Sequence, residues 1–587
     1  MKREEVKDCY KWNLDSIMKG TEWEDAYRSL LADKDVFEKY RGKLGDPELL
    51  LSALREESAV SLRIENLYVY AKMKQDENTA LPSSQSMVGR AGNLAAEISS
   101  RLSFMNPEII ASYSEKQLID LSEDPRFADY SYVLSELARN RKRYLSDKEE
   151  KILAQVSDLA GEFHNAFTMF DNADIRFDKV KDEEGRSIPL THGVYSELLM
   201  SKDRKVRRKA YESMFTAYKN MINTVGALYL GNIKKDEFYA GFRGYQSALE
   251  MSMDGENVDV RAYKNLLKSV NAGIPALKKY LAIRKEKLGV SRLRMYDMHV
   301  PLVTGADLKL GYEQSYDLVI EALSCLGKDY VVLLKEARDG GWIDVCETEN
   351  KRSGAYSWGT YSSHPYVLLN YKPTTHEVFT IAHELGHAMH SYKSDAAQPY
   401  PKAGYEIFVA EIASTVNEML LFRYLLKEGK ADRAYLLSYL ADMFRTTFFR
   451  QTMFAEFELA AHERVEKEGT VTPEELCSIY SDLNKKYYGK QATDELISYE
   501  WARIPHFYTS FYVYKYATGI VSAAAISKDI FEGKEGALEG YMRFLSLGGS
   551  MPPLDILKVA GVDLTTKEPF EKAMALFKDS VEELSRL

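Results

Sequence analysis

The chain has 587 residues, 45% of them hydrophobic, which is enough to fill two or more cores. A net charge of −10 and an isoelectric point near 5.7 argue against nucleic-acid binding, which calls for a basic surface. Cys9, Cys325, Cys346 and Cys477 are scattered and form no C-x-x-C pair, so they point to neither a disulfide framework nor a cysteine zinc site.

The first residues, Met1 to Asp8, lack the apolar core of a signal peptide. No apolar run approaches the roughly 18 residues of a membrane span. The expectation is a cytoplasmic chain with no membrane partner. Residues 46–160 are rich in Ala, Leu, Glu, Lys and Ser and predict helices, for example over Leu49 to Leu62 and Ser146 to Ala160. Breaks are expected at Asn106-Pro107, Asp254-Gly255 and Gly340-Gly341. Ile175 to Ile188 reads as a strand pair around Asp182-Glu183-Glu184-Gly185-Arg186, and a domain boundary is placed near residue 190. The resulting division is an N-terminal helical domain, 1–190, and a second domain, 191–587. Gly354 to Thr360 and Tyr366 to Tyr371 are β-rich and Gly-punctuated. A strand there could receive an extended peptide through main-chain hydrogen bonds, which makes Gly354 a candidate substrate-binding position.

Thr374-Thr375-His376-Glu377 reads as a capping box opening a helix. Val378, Ile381, Ala382, Leu385, Ala388 and Met389 come after it at helical spacing as an apolar stripe. The opposite side carries His376, His383, His387 and His390, four of the ten histidines. His383-Glu384-Leu385-Gly386-His387 is an H-E-x-x-H motif. Positions four apart share a helix face, so His383 and His387 can offer two imidazole nitrogens to one ion. Glu384, roughly 100° round the helix, can reach a water on that ion.

Two histidines leave a catalytic zinc site short of a ligand. A third histidine in the metzincin pattern is excluded, because that position holds Lys393. Glu411 stands among Phe408, Val409, Ala410, Ile412 and Ala413 on the next helix, where a carboxylate needs a partner. A metal or a buried Arg or Lys would serve. His390 is the rival ligand, or else a hydrogen-bonding support for the site. Glu418, seven residues beyond Glu411, falls on nearly the same face and could orient a ligand imidazole. Downstream, residues 506–516 hold His506, Tyr508, Tyr512, Tyr514 and Tyr516. Such a cluster is commonly core, but it could also donate hydrogen bonds to an oxyanion.

Taken together, these motifs resemble oligoendopeptidase F, within the thimet oligopeptidase family of zinc metallopeptidases. The residues that carry the likeness are His383 to His390, Phe408 to Thr415 and Ile504 to Tyr508. Lys11 to Leu14, Leu190 to Gly193 and Gly548 to Ser550 support it. The resemblance implies a mainly α, elongated multi-helix fold with a deep substrate channel and a small β-sheet beside the zinc site. It implies one Zn2+ held by His383, His387 and Glu411, catalysis by Glu384, and short peptides as substrates. His506 matches the downstream histidine of relatives. The His-to-Tyr spacing is shorter here than in thimet-type members; counting back from the helix selects Tyr514, with Tyr508 and Tyr512 as rivals that could also contact substrate. Two alternatives are a dipeptidyl carboxypeptidase, which some relatives are, and a peptide-binding protein with structural zinc. The G-x-M-E-N motif usual in H-E-x-x-H aminopeptidases is missing from the sequence.

Overall fold

Asp46 opens the first long helix: its carboxylate accepts from the N–H groups of Glu48 and Leu49, while Pro47 sits at the first helical position, where no N–H is needed. The computed structural model describes residues 1–305 and 308–587, and the fold is mainly α. Its helices include Pro47–Glu77 (α1), Pro82–Leu102 (α2), Ile222–Phe242 (α3), Thr375–Ala397 (α4), Ile407–Glu428 (α5), Arg450–Glu468 (α6) and Tyr514–Phe531 (α7). The described strands are Val180–Lys181 (β1), Ser187–Ile188 (β2), Ile343–Asp344 (β3), Tyr356–Trp358 (β4) and Tyr366–Leu368 (β5). Among the described residues no helix is long and apolar enough to cross a membrane.

β1 and β2 form the expected hairpin, with Val180 opposite Ile188 and Gly185 turning at φ +78°. The Asn106-Pro107 break lies slightly earlier than expected. Pro107 falls in the first turn of the helix Met105–Ser112, where its missing N–H costs nothing.

The chain divides into two compact units, each built from three segments. Unit 1 comprises Met1–Asp147, Leu308–Lys427 and Ile526–Val562; unit 2 comprises Lys148–Asp307, Glu428–Ala525 and Asp563–Leu587. This differs from a single cut at residue 190. Residues just before 190 are tied to residues beyond it: Tyr218 donates to Asp171 at 2.5 Å, and Ser213 donates to the carbonyl of Asp178 at 3.0 Å.

Within unit 1, α1 packs on α2. Near the end of α1, Val69 and Met73 join Trp12, Leu14 and Ile17 from the N-terminus and Tyr366 and Leu368 from β5 in one buried cluster. β5 is central in its sheet, parallel to β3 and antiparallel to β4, and wholly buried. Full burial suits its run of Tyr, Val and Leu. β4 lies at the sheet edge, fixed by Tyr356, which donates to the buried Asp76 of α1 at 3.0 Å. Both β4 and β5 pack against α4. Unit 2 has an aromatic core in which Tyr229 of α3, Phe457 of α6, Trp501 and Phe507 lie ring against ring.

Candidate metal centre

Thr374 caps α4 by accepting from the N–H of Glu377 at 3.3 Å. The predicted stripe Val378, Ile381, Ala382, Leu385, Ala388 and Met389 is buried throughout. Helix α4 is therefore held firmly on one side, and the rings of His383 and His387 remain partly open on the other.

The Nε2 atoms of His383 and His387 lie 3.2 Å apart. One oxygen of Glu411, Oε2, lies 3.5 Å from the first and 3.4 Å from the second. Ligands about 2.0–2.1 Å from a tetrahedral ion stand roughly 3.3–3.4 Å from each other. The three donors thus already have the spacing of three tetrahedral corners. Glu411 itself is less buried than its apolar neighbours suggest, with a side chain 46% exposed. It faces the two imidazoles across the gap between α4 and α5, and no Arg or Lys is paired with it among the described ion pairs.

Glu418 lies two turns further along α5, and its Oε1 accepts from Nδ1 of His383 at 2.6 Å. A carboxylate there keeps the ring proton on Nδ1 and turns the Nε2 lone pair towards the other donors. Burial disfavours a charged His383, yet its contacts with Glu411 and Glu418 hold it up to about 10. The pocket favours a cation. Glu384, next to His383 in the chain, is only 6% exposed. Burial pushes its carboxyl above the ordinary range, against the opposing pull of His383 and His387.

Two residues that the motifs alone do not single out bring α4 and α5 together. A Cβ on Gly386 would meet Ser414 Cα at 2.5 Å and the Ala413 carbonyl at 2.6 Å, so only glycine permits this helix crossing. Asn417, fully buried on α5, donates to the carbonyl of Ala382 at 3.0 Å and accepts from Tyr330 at 3.2 Å. The one hint in the sequence was a polar Asn inside an apolar run, and its partners are far away in the chain.

His390 departs from its predicted role. Its ring is 1% exposed and stacked on Tyr405 at 3.8 Å and on Phe544 at 5.2 Å. Nδ1 has no hydrogen-bond partner among the described residues, and burial lowers the ring to about 3. It is a neutral packing residue, not a hydrogen-bonding support. Gly354 is exposed at φ +84° ahead of β4, and its carbonyl accepts from Asn370 at 2.8 Å.

In unit 2, His506 is exposed. Its ring stacks on Tyr512 at 5.9 Å, and its Nε2 lies 3.2 Å from the hydroxyl of Tyr516. Tyr514, the expected oxyanion donor, is 1% exposed and packed edge-on against Tyr263 at 5.2 Å. Tyr514, Ala517, Val521 and Ala524 recur at helical spacing as the buried stripe of α7, which turns Tyr514 into the core. Tyr508 is likewise buried, stacked on Phe167 at 4.3 Å. Tyr512 and Tyr516 lie off that stripe and accompany His506.

A family model described as peptidase family M3 matches residues 197–576, and a second, described as oligopeptidase F, matches residues 110–177. The chain belongs to peptidase family M3. Oligopeptidase PepF of Bacillus subtilis is 39% identical, with 100% of this chain and 88% of the relative covered. A solved structure from Chlamydophila abortus is 35% identical with a TM-score of 0.90, covering 100% of this chain and 99% of that one. Oligoendopeptidase-F of Enterococcus faecium is 33% identical with a TM-score of 0.75, covering 96% and 98%. As an M3 member the chain is a peptidase, and its H-E-x-x-H helix and Glu411 form a candidate metal site.

Proposed function

We propose that this M3 peptidase is a zinc metalloendopeptidase of short oligopeptides, with His383, His387 and Glu411 as the metal ligands. The observation that carries this reading is the donor triangle of 3.2, 3.5 and 3.4 Å, made of two imidazoles and one carboxylate. That donor set suits zinc. Bound there, zinc supplies Lewis acidity that acidifies a water and polarises a peptide carbonyl.

The chain's own residues do the rest. Glu384, ionised but with its carboxyl raised by burial, accepts a proton from the water as its oxygen bonds to the carbonyl carbon. The same carboxyl then delivers that proton to the departing amine nitrogen as the C–N bond breaks. Glu418 keeps Nδ1 of His383 protonated throughout. His506 is proposed to donate to the substrate carbonyl oxygen, a role supported by the family resemblance and by its exposure. The edge strand β4, packed against α4, is proposed to receive the extended peptide as a further strand. The likeness to oligoendopeptidase-F of Enterococcus faecium supports internal cleavage of oligopeptides.

The test combines metal analysis with hydrolysis of a quenched peptide blocked at both ends. Glu384→Gln is expected to keep one zinc per chain and to lose on the order of 10²-fold or more in kcat. A rate near wild type in that variant would refute the role of Glu384. Failure to cut the doubly blocked peptide would instead favour the dipeptidyl carboxypeptidase alternative.

A further inference from the structure

Phe511 has a left-handed backbone, φ +59°, which a bulky residue adopts only when its surroundings impose it. The residue is 1% exposed, so relaxing the backbone would carry its ring out of the core. Its N–H donates to Oε1 of Glu458 at 3.0 Å. Glu458 projects from α6, is 0% exposed, and its other oxygen has no partner among the described residues. A carboxyl group is costly in such a place. Burial pushes it well above the ordinary range.

The preceding residue is tethered as well. The Ser510 hydroxyl donates to Asp236 of α3 at 2.5 Å and accepts from Asn232 at 3.2 Å. Asn232 also donates to the carbonyl of Phe507 at 3.3 Å, and Lys235 balances Asp236 at 3.2 Å. His462 places its ring 4.6 Å from that of Phe511 and its Nε2 3.4 Å from Asp236. These bonds converge on the turn between His506 and the tyrosines. The stack of His506 on Tyr512 and its bond to Tyr516 both span that turn. A relaxed Phe511 would redirect the chain just where His506 must fold back onto its partners.

The geometry points to Glu458 as a positioning residue: its buried carboxyl imposes the left-handed turn at Phe511 and thereby sets the placement of His506 against Tyr512 and Tyr516. Asp236 assists through Ser510. This inference rests on the reading of His506 as a group that touches substrate.

The test uses the full-length zinc-loaded enzyme and a quenched peptide. Glu458→Ala is expected to lower kcat about 10²-fold with little change in KM, as a small misplacement of a reacting group does. Glu458→Gln keeps the shape and an acceptor oxygen, and is expected to restore the rate. The double variant Glu458→Ala/His506→Ala should be no slower than His506→Ala alone, because the two act through one group. Ser510→Ala, a milder change that leaves the core filled, should move kcat in the same direction if Glu458→Ala does not fold. In Glu458→Ala, or in Ser510→Ala in its place, the imidazole proton resonance of His506, assigned by its loss in His506→Ala, should shift. Glu458→Gln as slow as Glu458→Ala, additive losses in the double variant, or an unmoved His506 resonance overturns the inference. Should His506→Ala itself keep full activity, the reading of His506 fails, and the resonance alone then decides whether Glu458 sets its placement.

Discussion

Glu418 illustrates how one side chain can settle the chemistry of another. Its bond to Nδ1 of His383 leaves Nε2 as the atom offered to a metal. Glu418→Ala is therefore expected to weaken zinc binding by about 10–100-fold in a chelator competition while leaving the ligands themselves intact. The same ring sets a pH dependence. In the metal-free protein His383 is raised from the ordinary 6.5 to about 10, so a proton occupies it at neutral pH and must leave when zinc binds. Apparent zinc affinity should rise about tenfold per pH unit between roughly pH 7 and 9, measured by competition at fixed chelator strength. For the stability of the metal-free fold the sign is opposite. A histidine raised on folding contributes fully below pH 6.5, and that contribution fades as pH climbs through about 10. His390 behaves differently from its neighbours in the motif. His390→Ala should lower the melting temperature by emptying a stacked, buried position, with zinc content unchanged.

The crossing of α4 and α5 is what turns a helix motif into a three-cornered site. The motif was legible because its spacing is local: four residues is one helical turn, whatever surrounds it. Glu411 was legible for a weaker reason, as a carboxylate standing in an apolar run. The closeness of the two helices was not, since it depends on Gly386 meeting Ser414 and on Asn417 reaching Ala382. Gly386→Ala is expected to force the backbones apart, lowering zinc occupancy and stability together. A variant with unchanged zinc stoichiometry and melting temperature would show that the crossing tolerates a methyl group. Asn417→Ala removes the side-chain bond to the Ala382 carbonyl and the acceptor of the buried Tyr330 hydroxyl, and should destabilise by about 1–3 kcal/mol in denaturant unfolding.

Each unit draws on distant parts of the chain. Trp12 and Leu14 pack with β5, which lies in the second of the three segments of unit 1, and Arg3 pairs with Asp344 of β3 at 2.6 Å. A fragment of residues 1–190 therefore lacks part of its own core, and is expected to show no cooperative melt by circular dichroism. A sharp transition in that fragment would restore the simple division at residue 190.

By itself the sequence determined the helical class, the H-E-x-x-H pair, its candidate carboxylate and the hairpin around Gly185, because each follows from periodicity, capping or turn chemistry within a few residues. The tertiary structure alone decided which aromatic residues meet His506, why His390 stacks instead of bonding, and how three segments share one core. Those outcomes depend on which side chains are buried against elements far away in the chain, and burial is a property of the assembled fold. Tyr514 shows the difference most plainly: its type suited an oxyanion donor, but its place on the apolar stripe of α7 turned it inward.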